Sequence, residues 1–223
     1  MTESKEGARR TSRKKAPLYP EPPSTASQVD SRAFLARLLG KSPSEVLSRI
    51  TTGDPLDLQQ VCVLRLRDQA LLIDPDRLLE KAMAHVAFAA SRTEEVDAVP
   101  EWLLGQVDVA IGSILTEDRE QELQAPGCPP PNRMHYRFIH LAFATEPGLV
   151  RSAAVQFNRL PISARRGFFR LLVDGLPVDE CVRELGTTRE ELRLGTLEAL
   201  RALGHLKPGE VVGSRSRKRR KLP

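Results

Sequence analysis

The sequence predicts an all-α fold. It reads as two small helical domains joined by a Pro-rich linker, the second with a helix-turn-helix, and a disordered basic tail at each end. Three observations carry that prediction. Only 4% of the 223 residues are aromatic while 40% are apolar. The core must therefore rest on Leu, Ala and Val, whereas strands favour aromatic and β-branched residues. Apolar residues recur at helical spacing, as at Leu78, Ala82 and Val86, or Leu103, Val107, Ala110, Ile111 and Ile114. Helix-start chemistry also repeats: Ser42-Pro43, Asp54-Pro55 and Asp74-Pro75 each pair a capping side chain with a following Pro. The cap oxygen takes up a free N–H, and Pro at the first helical position has none to lose. The length suffices for one large or two small domains with a sizeable core.

Residues 1–29 combine basic residues with Pro17, Pro20, Pro22 and Pro23. They are expected to be disordered, because this composition buries too little apolar surface to offset chain entropy. Residues 30–124 form the first helical domain. Phe34, Leu35, Leu38 and Leu39 open it with a short helix that ends at Gly40. Helices then start at the three caps, and Leu79, Met83 and Ala87 run beside the Leu78 stripe. Trp102, after Pro100, is read as a core anchor. Residues 125–132, with three consecutive prolines, are read as a linker, since Pro cannot continue a helix and prefers an extended chain. The second domain spans 133–206, with helical patterns at about 133–144, 147–158 and 160–203. Residues 207–223 are read as a second disordered tail.

The net charge of +5 is unevenly placed. Residues 1–16 hold six Lys/Arg and two Glu, a net +4. Residues 207–223 hold seven Lys/Arg and one Glu, a net +6. The interior, with 21 basic and 26 acidic residues, carries −5. A uniformly basic nucleic-acid-binding domain is thereby excluded. No apolar run approaches the roughly 18 residues that span a bilayer, and the charged N-terminus lacks the apolar segment of a secretory signal. Cys62, Cys128 and Cys181 are scattered and odd in number, which points to a reducing compartment without a disulfide framework. His85, His135, His140 and His205 do not join them at metal-ligand spacing and are read as surface or boundary residues. No nucleophile–base pair or phosphate-cradling Gly loop stands out, so the expectation is a non-enzyme without cofactor or metal.

The segment 160–203 carries the most information. Pro161 and Ser163 lead into a helix whose buried face would use Ala164, Phe168, Leu171 and Leu172, stopped by Asp174-Gly175. Pro177 starts a short helix with Val178, Cys181, Val182 and Leu185 apolar. Gly186 makes a sharp turn, and Thr188-Arg189-Glu190-Glu191 is a capping box for a helix with Leu192, Ala199, Leu200 and Leu203 inward. A short helix, a Gly turn and a second capped helix make a helix-turn-helix.

On these residues the sequence resembles the C-terminal promoter-reading domain of bacterial sigma factors of the extracytoplasmic-function type. The matching positions are Leu160-Pro161, Arg165, Phe168-Phe169, Gly175-Leu176-Pro177, Asp179-Glu180, Leu185-Gly186-Thr187-Thr188 and Ala199 to Leu203, aligned without a gap. The resemblance implies double-stranded DNA and the RNA polymerase core as partners, with a protein regulator as a further one, in a bacterial cytoplasm. Thr187, Thr188, Arg189 and Arg193 are the candidate groove contacts, led by the N-terminal end of the second helix. Arg165 and Arg166 would clamp phosphate or form a solvated helix face. Two features depart from the pattern: Gly195 and Glu198 stand where the family has basic side chains, and the span 188–203 balances three Arg against three Glu.

In the first domain, Asp57-Leu58-Gln59-Gln60 with Leu64-Arg65 is similar to the family's polymerase-binding helix, and Trp102-Leu103 to the Trp-Leu that opens its promoter-reading helix. Trp102 is the only aromatic between Phe88 and Tyr136, so the rings that capture an unstacked base are missing. Residues 30–124 are read as a diverged or unrelated helical domain. The basic run Arg215, Arg217, Lys218, Arg219, Arg220 and Lys221 would add sequence-independent nucleic-acid contact or act as a solubilising tail. Arg9-Arg10 and Arg13-Lys14-Lys15 admit the same two readings. The sequence thus predicts a sigma-like DNA-binding transcription regulator. The alternative is a helical protein–protein adaptor that keeps the fold without promoter reading.

Overall fold

The computed structural model describes residues 25–127 and 133–204. Among them the chain forms ten α-helices and no strand. These are α1 (Thr25–Ala36), α2 (Pro43–Ile50), α3 (Leu58–Gln69), α4 (Pro75–Ala90), α5 (Val99–Gln124), α6 (Met134–Phe143), α7 (Val150–Asn158), α8 (Ile162–Phe168), α9 (Val178–Leu185) and α10 (Arg189–Ala202). None is long and apolar enough to cross a membrane. Helix α1 begins inside the stretch expected to be tail. The basic run at 215–221, the arginines and lysines of 1–16, and linker residues 128–132 lie outside the described residues.

Two of the three Pro-led starts behave as the cap chemistry requires. Ser42 Oγ accepts from Glu45 N–H at 3.4 Å, and Asp74 Oδ1 accepts from Asp76 N–H at 3.1 Å. The third is displaced: α3 begins at Leu58, not at Pro55. Asp54 and Asp57 both adopt left-handed backbone, and the Asp54 carboxylate reaches over the turn to accept from Leu58 N–H at 2.9 Å and Gln59 N–H at 2.8 Å. The capping residue keeps its role while the helix starts one turn later.

The buried apolar residues form two clusters. The first gathers Leu35, Leu38, Val46, Ile50, Cys62 and both predicted stripes from α1 to α5, with Trp102 half-buried against it. The second centres on Ile139, Phe157, Phe168, Ala199 and Leu203 from α6 to α10. Leu72, on the connection between α3 and α4, belongs to the second. Its backbone is held there by one side chain: Asn158 Oδ1 accepts from Leu72 N–H at 2.8 Å, and Asn158 Nδ2 donates to Leu72 O at 3.0 Å.

Polar groups are buried where α4, α5, α6 and α7 meet. Arg77 donates to Asp118 at 2.5 Å and Glu117 at 2.7 Å. Burial works against the Arg77 charge, but these bonds outweigh it and hold its pKa above the usual value. Glu117 is shifted down, chiefly by Lys81. His135, expected at the surface or its boundary, is only 7% exposed, and neither ring nitrogen has a hydrogen-bond partner among the described residues. Burial, with Arg133 and Arg77 nearby, lowers its pKa from 6.5 to about 4 against the opposing pull of Asp74.

Two outcomes are expected. The folded chain keeps His135 neutral to about pH 4, whereas the unfolded chain takes up a proton near pH 6.5. Stability therefore falls as pH drops through that window, by at most about 3 kcal/mol. Thermal unfolding across it should flatten in His135→Phe, and parallel curves for the two proteins would remove His135 from the account. Asn158→Ala leaves both Leu72 backbone groups unpaired and should cost about 1–3 kcal/mol in denaturant unfolding.

Candidate nucleic-acid interface

The helix-turn-helix is built on α8, α9 and α10. Gly186, at φ +60°, closes α9 in the left-handed conformation that Gly adopts without strain. Its N–H and that of Thr187 both donate to Val182 O. Thr188 caps α10: its hydroxyl oxygen accepts from Glu191 N–H at 3.2 Å, and its N–H donates to Glu191 Oε2 at 2.8 Å. The Thr188 N–H, with the Thr188 hydroxyl donating to Glu191 Oε2 at 2.9 Å and the Thr187 hydroxyl, holds the Glu191 carboxyl below its usual pKa. Arg170, in the turn that follows α8, reaches α9 through an ion pair with Glu184, and pairs with Asp174 at 3.0 Å.

Small residues set the distance between α8 and α10. A Cβ on Gly195 would lie 3.0 Å from Ala164 Cα, and one on Gly167 would lie 2.8 Å from Leu192 Cδ1. Gly195 therefore turns inward against the α8 backbone, and its place in the pattern is a packing position, not a vacant DNA contact. Ala164, Phe168, Leu192, Ala199, Leu200 and Leu203 are buried as the periodicity predicts. Leu172, expected inward, is 46% exposed. The chain runs from α8 into a π-turn over Phe169–Val173, in which Asp174 N–H donates to Phe169 O at 2.8 Å. The extra residue in that turn rotates the following side chains by about 100° and carries Leu172 off the core face. Of the apolar residues of α9, Val178 is exposed and Cys181 is fully buried. Burial, then Glu184 and Glu180, push the Cys181 thiol pKa up.

The candidate contacts divide into two groups. Thr187, Thr188, Arg189 and Arg193 come together at the N-terminal end of α10. The two threonine hydroxyls are engaged with Glu191. Arg189, 73% exposed, pairs with Asp179 of α9, and Arg193 pairs with Glu190 at 2.6 Å. Arg165 and Arg166 lie apart from this edge. Arg165 is 9% exposed, which removes the solvated reading for it. Its Nη1 donates to Asn158 O at 3.1 Å, and burial followed by Arg166 lowers its pKa. Arg166 reaches α3, donating from Nε to Asp68 O at 2.7 Å and from Nη2 to Asp68 Oδ1 at 2.5 Å. Asp68 also takes Arg65 at 3.3 Å, and Arg65 grips Asp108 of α5 through two bonds of 2.7 Å. Hydrogen bonding to Asp108 raises the Arg65 pKa first among several causes.

Sequence reasoning missed Asp68 and Asn158, whose partners lie 98 and 86 residues away, and no local signal marks them. Gly167 did leave a signal, since Gly inside a helix marks close packing. Among the described residues no three metal-ligating side chains converge. No family model, curated protein or solved structure matches the chain.

Gly195→Ala is expected to destabilise the protein by about 1–3 kcal/mol through overpacking, exceeding the roughly 1 kcal/mol that Ala gains in a helix interior. A raised melting temperature in this variant would refute the close approach of α8 and α10.

Proposed function

We propose that the chain is a sigma-factor-like transcription regulator that binds promoter DNA through α9 and α10 and acts with RNA polymerase. One observation carries this reading: α10 is packed through its small and apolar side while its N-terminal end, with Thr188, Arg189 and Arg193, stands exposed beside a capped tight turn. That is the edge a major-groove helix uses. The ion pairs on it are no obstacle, because exposed pairs contribute only about 0–1 kcal/mol and a phosphate can replace the carboxylate. The terminal segments, basic by sequence, would supply non-specific affinity through counterion release.

A second reading, a protein–protein adaptor on the same scaffold, is favoured by a specific observation. Arg189 and Arg193 both have carboxylate partners, and α10 carries three arginines against three glutamates.

The two readings part in one measurement. Residues 25–204, which hold every described element, are titrated across a salt series with a duplex enriched from a random pool by the full-length chain. For the regulator, this piece binds, and Arg189→Ala and Arg193→Ala each weaken binding about tenfold or more. Affinity carried only by the terminal segments, or unchanged in both variants, would sink the regulator in favour of the adaptor.

A further inference from the structure

The arginines on the helix-turn-helix edge face carboxylates, but a pocket elsewhere gathers two cations that do not. This pocket, about 230 Å3, lies at the seam of α5 and α7. Arg119 of α5 and Arg159, the residue that ends α7, line it over Leu115 and Val155. The one carboxylate in the lining, Asp118, is buried and already holds Arg77 at 2.5 Å. Among the described residues no ion pair reaches Arg119 or Arg159, and both are exposed.

The elements that bring them together are fixed. Asn158, next to Arg159, is bonded to Leu72 through both ends of its carboxamide. At the other end of α7, Arg151 Nη1 donates to Gln121 O of α5 at 3.4 Å. An anion held between two guanidiniums that line one pocket accepts charge-assisted hydrogen bonds from both. The planar fork of each Arg suits a tetrahedral oxyanion. The volume holds several groups the size of a water, about 30 Å3 each. Leu115 and Val155 add no acceptor to the lining, and its Asp118, Asn158 and Thr116 side chains are already bonded to Arg77, Leu72 and Gly112.

We propose that Arg119 and Arg159 form a phosphate-binding site at this seam, separate from the α10 edge. The phosphate group comes from the backbone of bound duplex DNA or from a free phosphate compound. The DNA source rests on the function proposed above; the site itself does not.

The test uses the full-length chain and its Arg119→Gln/Arg159→Gln variant, both positions being exposed and outside the hydrophobic clusters. Inorganic pyrophosphate is titrated first, followed by NMR amide shifts at residues 115–119 and 155–159. Saturable shifts in the wild type that vanish in the variant support the site. The duplex is then titrated across a salt series. A log–log salt slope shallower by about one to two in the variant assigns the site to backbone phosphate. Pyrophosphate binding with an unchanged slope supports the site with a free phosphate as its source. If the wild type binds pyrophosphate but no duplex, the site stands and the regulator reading falls. If pyrophosphate gives the same shifts in both proteins, or none in either, the proposal is overturned.

Discussion

One carboxamide holds the two apolar clusters in register. The connection between α3 and α4 enters the second cluster with Leu72, and its backbone N–H and C=O would be costly to bury without partners. Asn158 satisfies both at once, as a neighbouring strand would, without a strand being present. Much else is anchored by this contact. It fixes the C-terminal end of α7, whose Asn158 carbonyl takes the buried Arg165 of α8. Phe157, one residue earlier, is fully buried and packs edge-on against Phe168. The helix-turn-helix is thus tied to the connection between α3 and α4 by a polar contact made outside α9 and α10. An amide can do this where an apolar side chain cannot, because two directed bonds set a register while apolar burial is non-directional.

The acidic interior has a structural use. Its carboxylates lie between helices and take up arginines that the sequence pattern alone leaves free. Asp108, Arg65, Asp68 and Arg166 form a continuous chain of charge from α5 through α3 to α8. Glu117 and Asp118 hold Arg77 and Lys81 between α4 and α5. The exposed links of these chains contribute little each to stability. The buried Arg77–Asp118 pair differs: removing either partner would strand a charge, so it constrains the structure more than it stabilises it. Interior charge therefore reports on helix docking more than on the net sign that a nucleic acid would meet.

Features with local causes could be read from the chain. The caps at Ser42, Asp74 and Thr188, the Gly186 turn and the two apolar stripes each depend on residues within one or two helical turns. The misreadings arose where a local rule had two solutions or a distant partner decided. At Asp54 the same capping carboxylate serves a helix that starts later, because left-handed backbone at Asp54 and Asp57 inserts a turn. At Leu172 a π-turn breaks the 3.6-residue period, and the composition of that segment gives no warning. His135 looks like any histidine in sequence; only the packing of α6 against the polar seam buries it. Arg165 and Arg166 sit in adjacent positions, yet one turns to the Asn158 carbonyl and the other to Asp68, a divergence that periodicity cannot supply.

The geometry of α10 changes what its neutrality means. Gly195 faces Ala164 and has no part in the outward charge, so the departure from a basic recognition helix reduces to Glu190, Glu191 and Glu198. Glu191 is committed to the cap, where its charge compensates N–H groups and the positive helix terminus. Glu190 sits beside Arg193, and Asp179 of α9 beside Arg189. The exposed edge is therefore a set of paired charges on a rigid, well-capped helix, with orientation fixed by the glycine contacts beneath it. Such an edge can confer geometric selectivity but little attraction at long range, since each pair is nearly neutral beyond a Debye length of about 8 Å. In a regulator of the kind proposed, attraction and selectivity then fall to different parts of the chain. There the terminal segments and the Arg119–Arg159 pocket would draw the polyanion in, and the α10 edge would exchange its carboxylates for phosphate or base edges only where the fit is close.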